Sequence, residues 1–61
     1  MSEASELPVP GCLRSVQVPN SGLQLAKIVE NRQEDGRWFT LVRWIDIRRE
    51  AEWLPSSVIP K

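Results

Sequence analysis

Tryptophan side chains are the groups in this sequence with the clearest capacity for chemistry. The chain has 61 residues and contains three of them, Trp38, Trp44 and Trp53. An exposed aromatic ring can stack on a nucleic-acid base, bury an apolar side chain or hold a cation against its face. The last interaction contributes roughly 0.5–2 kcal/mol per ring. Each of these is a form of binding, so the sequence first suggests a recognition surface.

Trp44 is the ring best suited to such a surface, because it ends an apolar run just before the polar Asp46. Glu50 and Glu52 follow closely, and together with Asp46 they could complement a cationic ligand. The opposite interpretation places Trp44 in the core, and the sequence favours neither. For Trp53 a structural role is favoured, since a large ring in a short final strand would close one end of a small core.

Catalysis is not predicted. The sequence has no His, a single cysteine at Cys12 and no glycine-rich phosphate loop, so nucleophile–base pairs and phosphate cradles are missing. Without His or further Cys, the residues do not suit a zinc site either. We therefore expect a protein that is not an enzyme, with no cofactor, no metal and no small-molecule substrate. One unpaired cysteine suits a reducing, intracellular compartment.

The charge balance bears on the choice of partner. Eight basic and eight acidic residues give a formal net charge of zero, which disfavours the broad basic field of a generic nucleic-acid binder. A local nucleic-acid surface remains the alternative, with Trp38 or Trp44 stacking on a base. Its basic residues would be Arg37, Arg43, Arg48 and Arg49. No apolar run approaches the length of a membrane span, so no membrane partner is expected.

Short strands must position these residues. Residues 1–10 are acidic and carry Pro8 and Pro10, which predicts a flexible tail or linker before a folded domain over residues 11–61. Apolar runs between turn-forming residues predict strands over 12–18, 23–30, 38–45 and 51–54. Asp35 and Gly36 form the dipeptide that a tight hairpin turn prefers.

The segment 38–45 is the strongest strand of the prediction. Trp38, Thr40, Val42 and Trp44 face one side, and Phe39, Leu41, Arg43 and Ile45 face the other. A strand that is apolar on both faces belongs in the centre of a bent or closed sheet. Residues 56–59 predict one helical turn capped by serine. The sequence thus predicts an all-β domain, a small SH3-like barrel of about four or five short antiparallel strands, with at most one short helical turn near the C-terminus.

About half of the chain resembles the chromodomain and the related chromo barrel (Tudor-knot, Tudor-like) families. The matching segments are 27–32, Gly36, 41–44 and 52–55. The resemblance implies a module that binds histone tails in chromatin, and hence a nuclear location. It also implies a ligand cage of three side chains. Trp44 matches one of them, while Leu23 and Ile47 fall at the other two and are not aromatic.

The leading prediction is a non-catalytic interaction module that binds a peptide or a protein partner, with a histone tail as one candidate. Its predicted partner-binding residues are Leu23, Trp44, Asp46, Ile47 and Glu50. Because two of the three cage walls are aliphatic, tight capture of methylated lysine is not favoured.

Overall fold

Four antiparallel strands and one 3-10 turn make up the fold in the computed structural model, which describes residues 7–60. The strands are β1 (Leu13–Val18), β2 (Gly22–Glu34), β3 (Arg37–Trp44) and β4 (Glu52–Pro55), and the turn spans Ser56–Val58. They form one sheet in the order β1-β2-β3-β4. This confirms the prediction of a small, all-β, barrel-like fold. One helical turn lies near the C-terminal end of residues 7–60 as predicted, but it follows Pro55 and has no serine side-chain cap. Among these residues no helix is long and apolar enough to cross a membrane.

The hairpin between β2 and β3 turns at the predicted dipeptide. Asp35 and Gly36 have φ angles of 52° and 77°, and Glu34 pairs with Arg37 to close the two-residue loop. Two successive positive φ angles give a turn whose twist matches that of the flanking strands. The hairpin is therefore set by local chemistry, and it holds the long β2 and β3 strands in a defined register.

A β-bulge in β2 reverses the direction of the side chains along that strand. Ile28 pairs with Val42, but Glu30 pairs with the very next β3 residue, so Val29 is an extra residue. Ile28 is fully buried, whereas the even-numbered residues beyond the bulge turn away from the core. A bulge bends the strand and increases its twist. Here it also turns Arg32 to the outer face of the sheet.

The alternation predicted for β3 is confirmed. Thr40, Val42 and Trp44 are buried on the inner face, while Phe39 and Leu41 are half-buried on the outer face. The strand pairs with β2 on one side and β4 on the other. Its central position explains why both of its faces are apolar.

The core lies on the inner face of the sheet. Its buried members are Val16, Val18, Ala26, Ile28, Val42, Trp44 and Ile59, with Ile47 and Leu54 packed against them. Ile59 follows the 3-10 turn, so this turn carries the end of the chain back over the sheet. A chain of this size can bury only about 60% of the surface that its unfolded form exposes, so each core residue matters.

A chain of hydrogen bonds satisfies the one buried polar side chain of the sheet, Thr40. Its hydroxyl donates to Asn31 Oδ1 at 2.6 Å, and Ser56 Oγ lies 2.6 Å from the same hydroxyl. Since a hydroxyl has one proton, Ser56 is the donor in that second contact. Asn31 Nδ2 in turn donates to the Pro8 carbonyl oxygen at 2.7 Å. The network thereby ties the lead-in segment, β2, β3 and the 3-10 turn together.

Part of the predicted tail packs on the sheet, although Val9 and Pro10 are exposed. Pro8 is buried, and the Gly11 amide donates to the Ile28 carbonyl at 2.7 Å. Proline has no amide proton to satisfy, so burying Pro8 requires only a donor for its carbonyl, which Asn31 supplies. The packed part of the chain thus begins before Gly11. The rest of the predicted tail, residues 1–6, lies outside the described residues, as does residue 61.

Candidate functional site

Trp44 lies at the end of β3 on the inner face of the sheet and is 6% exposed. Its indole Nε1 donates to Glu52 Oε1 at 3.2 Å. Arg49 Nε donates to the same oxygen at 2.7 Å, and the Arg49 guanidinium carbon lies 5.7 Å from the centre of the Trp44 ring. The polar atom of this ring is therefore satisfied within the domain, and an arginine covers its face.

The interpretation of Trp44 as an exposed ring at the rim is consequently wrong, and the predicted partner-binding residues lack the exposed ring that was to be their centre. Leu23 is 67% exposed near the start of β2, but Ile47 packs against the core. Asp46 and Glu50 are exposed in the connection between β3 and β4. The alternation of β3 explains the burial, since it puts Trp44 on the same face as the core residues of that strand.

The β3 residues of the nucleic-acid alternative do not all lie on one face of that strand. Arg37 and Arg43 are exposed on the outer side of β3, whereas Trp38 has the opposite parity and lies half-buried on the inner side. Arg49 is engaged by Glu52. Arg48 is exposed in the connection after β3. A base stacked on Trp38 would therefore lie on the opposite side of the strand from Arg37 and Arg43.

Trp53 is the tryptophan that the fold leaves partly exposed to solvent. It pairs with Leu41 across the β3–β4 ladder, faces outward and is 39% exposed. Arg32 pairs with Phe39 on the other side of β3, yet its guanidinium carbon lies 5.7 Å from the centre of the Trp53 ring. The Arg32 side chain thus crosses the outer face of β3 to reach the indole. Trp53, expected to close the core, instead belongs to a surface.

That surface is a groove of about 550 Å³ on the outer face of the sheet. We call it the outer groove, and it is lined by Arg32, Glu34, Asp35, Arg37, Phe39 and Trp53. Two aromatic rings give it an apolar floor and wall, and two guanidinium and two carboxylate groups surround them. Its volume falls within the range typical of ligand sites.

Among residues 7–60, no side-chain hydrogen bond or ion pair engages the charged groups of the outer groove. Within residues 7–60 the single ion pair joins Arg49 to Glu52, and the side-chain hydrogen bonds in this range involve none of Arg32, Glu34, Asp35 and Arg37. The same range contains no group of three or more His, Cys, Asp and Glu side chains that could hold a metal ion. The groove can therefore offer stacking, apolar contact and charged hydrogen bonds.

One sequence signal pointed towards this site. Phe39 and Leu41 are both apolar and share the face of β3 opposite Trp44, and such a pair needs a cover on the outer side. Trp53 supplies part of that cover. The contribution of Arg32 was not visible in the sequence, because it depends on the bulge at Val29.

Comparison with known proteins found no similar protein: no family model, no curated protein and no solved structure matches the chain. The resemblance to chromo barrels stays a prediction that depends on the four matching segments. The outer groove is therefore the feature from which a function can be inferred.

Proposed function

We propose that this protein is a non-catalytic interaction module that binds a peptide segment of a partner protein in the outer groove. The observation that carries the proposal is the partly exposed Trp53 with Arg32 at its face, in a groove that also contains Phe39. Tryptophan and arginine are among the residue types that most often dominate the binding energy of protein interfaces.

The backbone holds the apolar part of the groove in place before any ligand arrives. Phe39 lies in the central strand and pairs with Arg32 on β2 and with Pro55 on β4. Trp53 lies two residues before Pro55 in the same short strand. Because paired strands supply these side chains, a ligand meets a preformed surface and the cost of ordering it is small.

The charges of the groove favour a polypeptide over a nucleic acid. Glu34 and Asp35 line it together with Arg32 and Arg37, so its formal charge is balanced. Affinity for a phosphate backbone grows with the number of cations that neutralise phosphates, and adjacent carboxylates oppose it. A peptide can match both signs of charge. The histone tail implied by the family resemblance, although lysine-rich, also belongs among the ligands to be tested.

The test begins with an unbiased selection of short peptides from a displayed random library against the whole chain. Selected peptides, lysine-rich histone-tail peptides with and without methylation, and a short single-stranded DNA are then titrated while amide shifts are followed by NMR. We expect saturable shifts at Arg32, Phe39 and the Trp53 indole N–H with peptides. Binding should be lost in Trp53→Ala and kept in Leu23→Ala, which truncates an exposed side chain outside the groove.

Two results would overturn the proposal. The first is a selection that yields no peptide sensitive to Trp53→Ala. The second is a set of shifts confined to residues 45–51, or produced by DNA alone.

A further inference from the structure

The two ends of the outer groove differ in charge. From this difference we infer the chemistry of its ligand, and the inference rests on the proposed function. The Arg32 guanidinium lies at the Trp53 end, over the indole. Glu34, Asp35 and Arg37 lie at the hairpin end, where the two-residue turn connects β2 and β3. The Trp53 end therefore carries one positive charge, and the hairpin end carries a net negative charge.

The strand register supplies the distances between these two ends. Trp53 pairs with Leu41, which is four residues from Arg37 along β3, and Phe39 lies midway between Leu41 and Arg37. At about 3.3 Å per residue, the two ends are about 13 Å apart. An extended peptide needs about four residues to span that distance, and it directs every second side chain to the same face.

We propose that the outer groove binds an extended peptide that carries an acidic, an apolar and a basic side chain at alternate positions, in either chain direction. The acidic side chain meets Arg32 at the Trp53 end. The apolar side chain lies on Phe39, and the basic side chain meets Glu34 and Asp35 at the hairpin end. The two ends of the groove and the Phe39 ring between them are thereby each matched once.

Arg32 can hold a carboxylate while it stays on the ring. The guanidinium carbon lies over the indole at 5.7 Å from the ring centre, which is within cation–π range, and the N–H donors of a guanidinium point outward in its own plane. Two of these donors can bind one carboxylate in parallel. Since the Arg32 side chain makes no hydrogen bond or ion pair within residues 7–60, a ligand carboxylate displaces no partner there.

The experiment compares synthetic peptides, blocked at both ends, by isothermal titration. Their cores are Asp-Ser-Phe-Ser-Lys, the reverse Lys-Ser-Phe-Ser-Asp, and three controls with two aspartates, two lysines or two serines in place of the charged pair. We expect one of the two mixed-charge peptides to bind tightest, about five- to tenfold tighter than the serine control.

Variants then assign each charge. Arg32→Gln should remove the advantage of the aspartate, and the double variant Glu34→Gln with Asp35→Asn should remove that of the lysine. Asparagine accepts the positive φ angle at position 35, so the turn is kept. Arg32→Glu should reverse the preference and favour the peptide with two lysines. Unchanged thermal midpoints exclude misfolding as the cause.

The outcomes separate this inference from the proposed function. If all five peptides bind equally and Trp53→Ala abolishes that binding, the charge pattern is wrong and the groove remains a binding site. The charge pattern is also wrong if Arg32→Gln weakens the serine control as much as the mixed-charge peptides. If no peptide binds at the groove and the library selection is also empty, both proposals are overturned.

Discussion

Two arginine–tryptophan pairs of residues 7–60 have the same separation but different surroundings. In each pair the guanidinium carbon lies 5.7 Å from the ring centre, Arg49 over Trp44 and Arg32 over Trp53. Trp44 is 6% exposed on the inner face, whereas Trp53 is 39% exposed on the outer face. The distance between arginine and tryptophan therefore does not determine whether a pair has a structural role or a binding role.

Glu52 makes the difference between the pairs. Its Oε1 accepts hydrogen bonds from both Trp44 Nε1 and Arg49 Nε, so the inner pair is complete within the domain. Arg32 has no such carboxylate within the described part of the chain. A satisfied pair contributes to folding, whereas an open pair retains donors and ring surface that a partner can use.

The largest expected effect is a difference in the free energy of unfolding between the alanine variants of Trp44 and Trp53. Trp44→Ala should cost about 3–5 kcal/mol, because it leaves a cavity in a small core, and much of the protein should then be unfolded. Trp53→Ala should cost about 1–2 kcal/mol, since part of that ring is already in water. Urea unfolding followed by far-UV circular dichroism measures both values. Equal losses would mean that the two rings have the same structural role.

The next largest effect is expected at Glu52, whose carboxylate accepts hydrogen bonds from both members of the inner pair. Glu52→Ala should lower the free energy of unfolding by about 1–2 kcal/mol, because the indole N–H and the Arg49 guanidinium both lose their acceptor. The value is kept low because the Arg49 and Glu52 side chains are 46% and 32% exposed and solvent screens them.

Glu34→Ala is the matched control, since this exposed glutamate has no side-chain hydrogen bond within residues 7–60. It should change the free energy of unfolding by less than about 0.5 kcal/mol. Urea unfolding at low and high salt should show that only the effect of Glu52→Ala shrinks as salt is added. A salt-independent loss would show that packing, and not charge, dominates at Glu52.

Replacing Arg49 should destabilise the protein more than replacing Arg32, and this difference should be smaller than the one between the two tryptophans. Arg49→Gln should cost about 0.5–1 kcal/mol, because it removes both the cover of Trp44 and the ion pair with Glu52. Arg32→Gln should cost less than about 0.5 kcal/mol and act on peptide binding instead. Thermal unfolding of the two variants tests this order. A larger loss at Arg32 would make that residue a structural cover for Trp53.

The smallest effect is expected in fluorescence quenching, which measures the solvent accessibility of Trp44 and Trp53 directly. In the wild-type protein, acrylamide should quench Trp53 more strongly than Trp44, because 39% of one residue and 6% of the other is exposed. Trp53→Phe should therefore lower the quenchable fraction of the fluorescence, and Trp44→Phe should raise it. Trp38→Phe serves as the control for the half-buried third ring. Identical quenching of the first two variants would contradict the assignment of faces.

The turn and the central strand could be predicted because neighbours in sequence determine them. Asp35 and Gly36 form a dipeptide that readily accepts positive φ angles, and the two-residue period of Trp38 to Trp44 needs only an extended backbone. Neither property requires knowledge of a distant residue. The predicted hairpin and the predicted faces of β3 are both found in the structure.

The sequence left the place of Trp44 open and assigned Trp53 to the core, and both outcomes have one physical reason. Both faces of β3 are apolar, so alternation alone does not tell which face covers the core. That choice follows from the rest of the sheet: Ile59 returns over the inner face, and Glu52 on β4 accepts the indole proton of Trp44. Neither partner belongs to β3, so the sequence pattern of that strand does not identify them.

The amino-acid order alone determines the turn, the strand period and the absence of a charge excess. The three-dimensional arrangement determines which rings are covered, and Arg32 shows why. Counted along the sequence, Arg32 has the parity of the buried Ala26 and Ile28, which predicts an inward side chain. The extra residue Val29 reverses that parity and turns Arg32 outward onto Trp53. A bulge forms through pairing between strands, so it depends on contacts that local sequence does not specify.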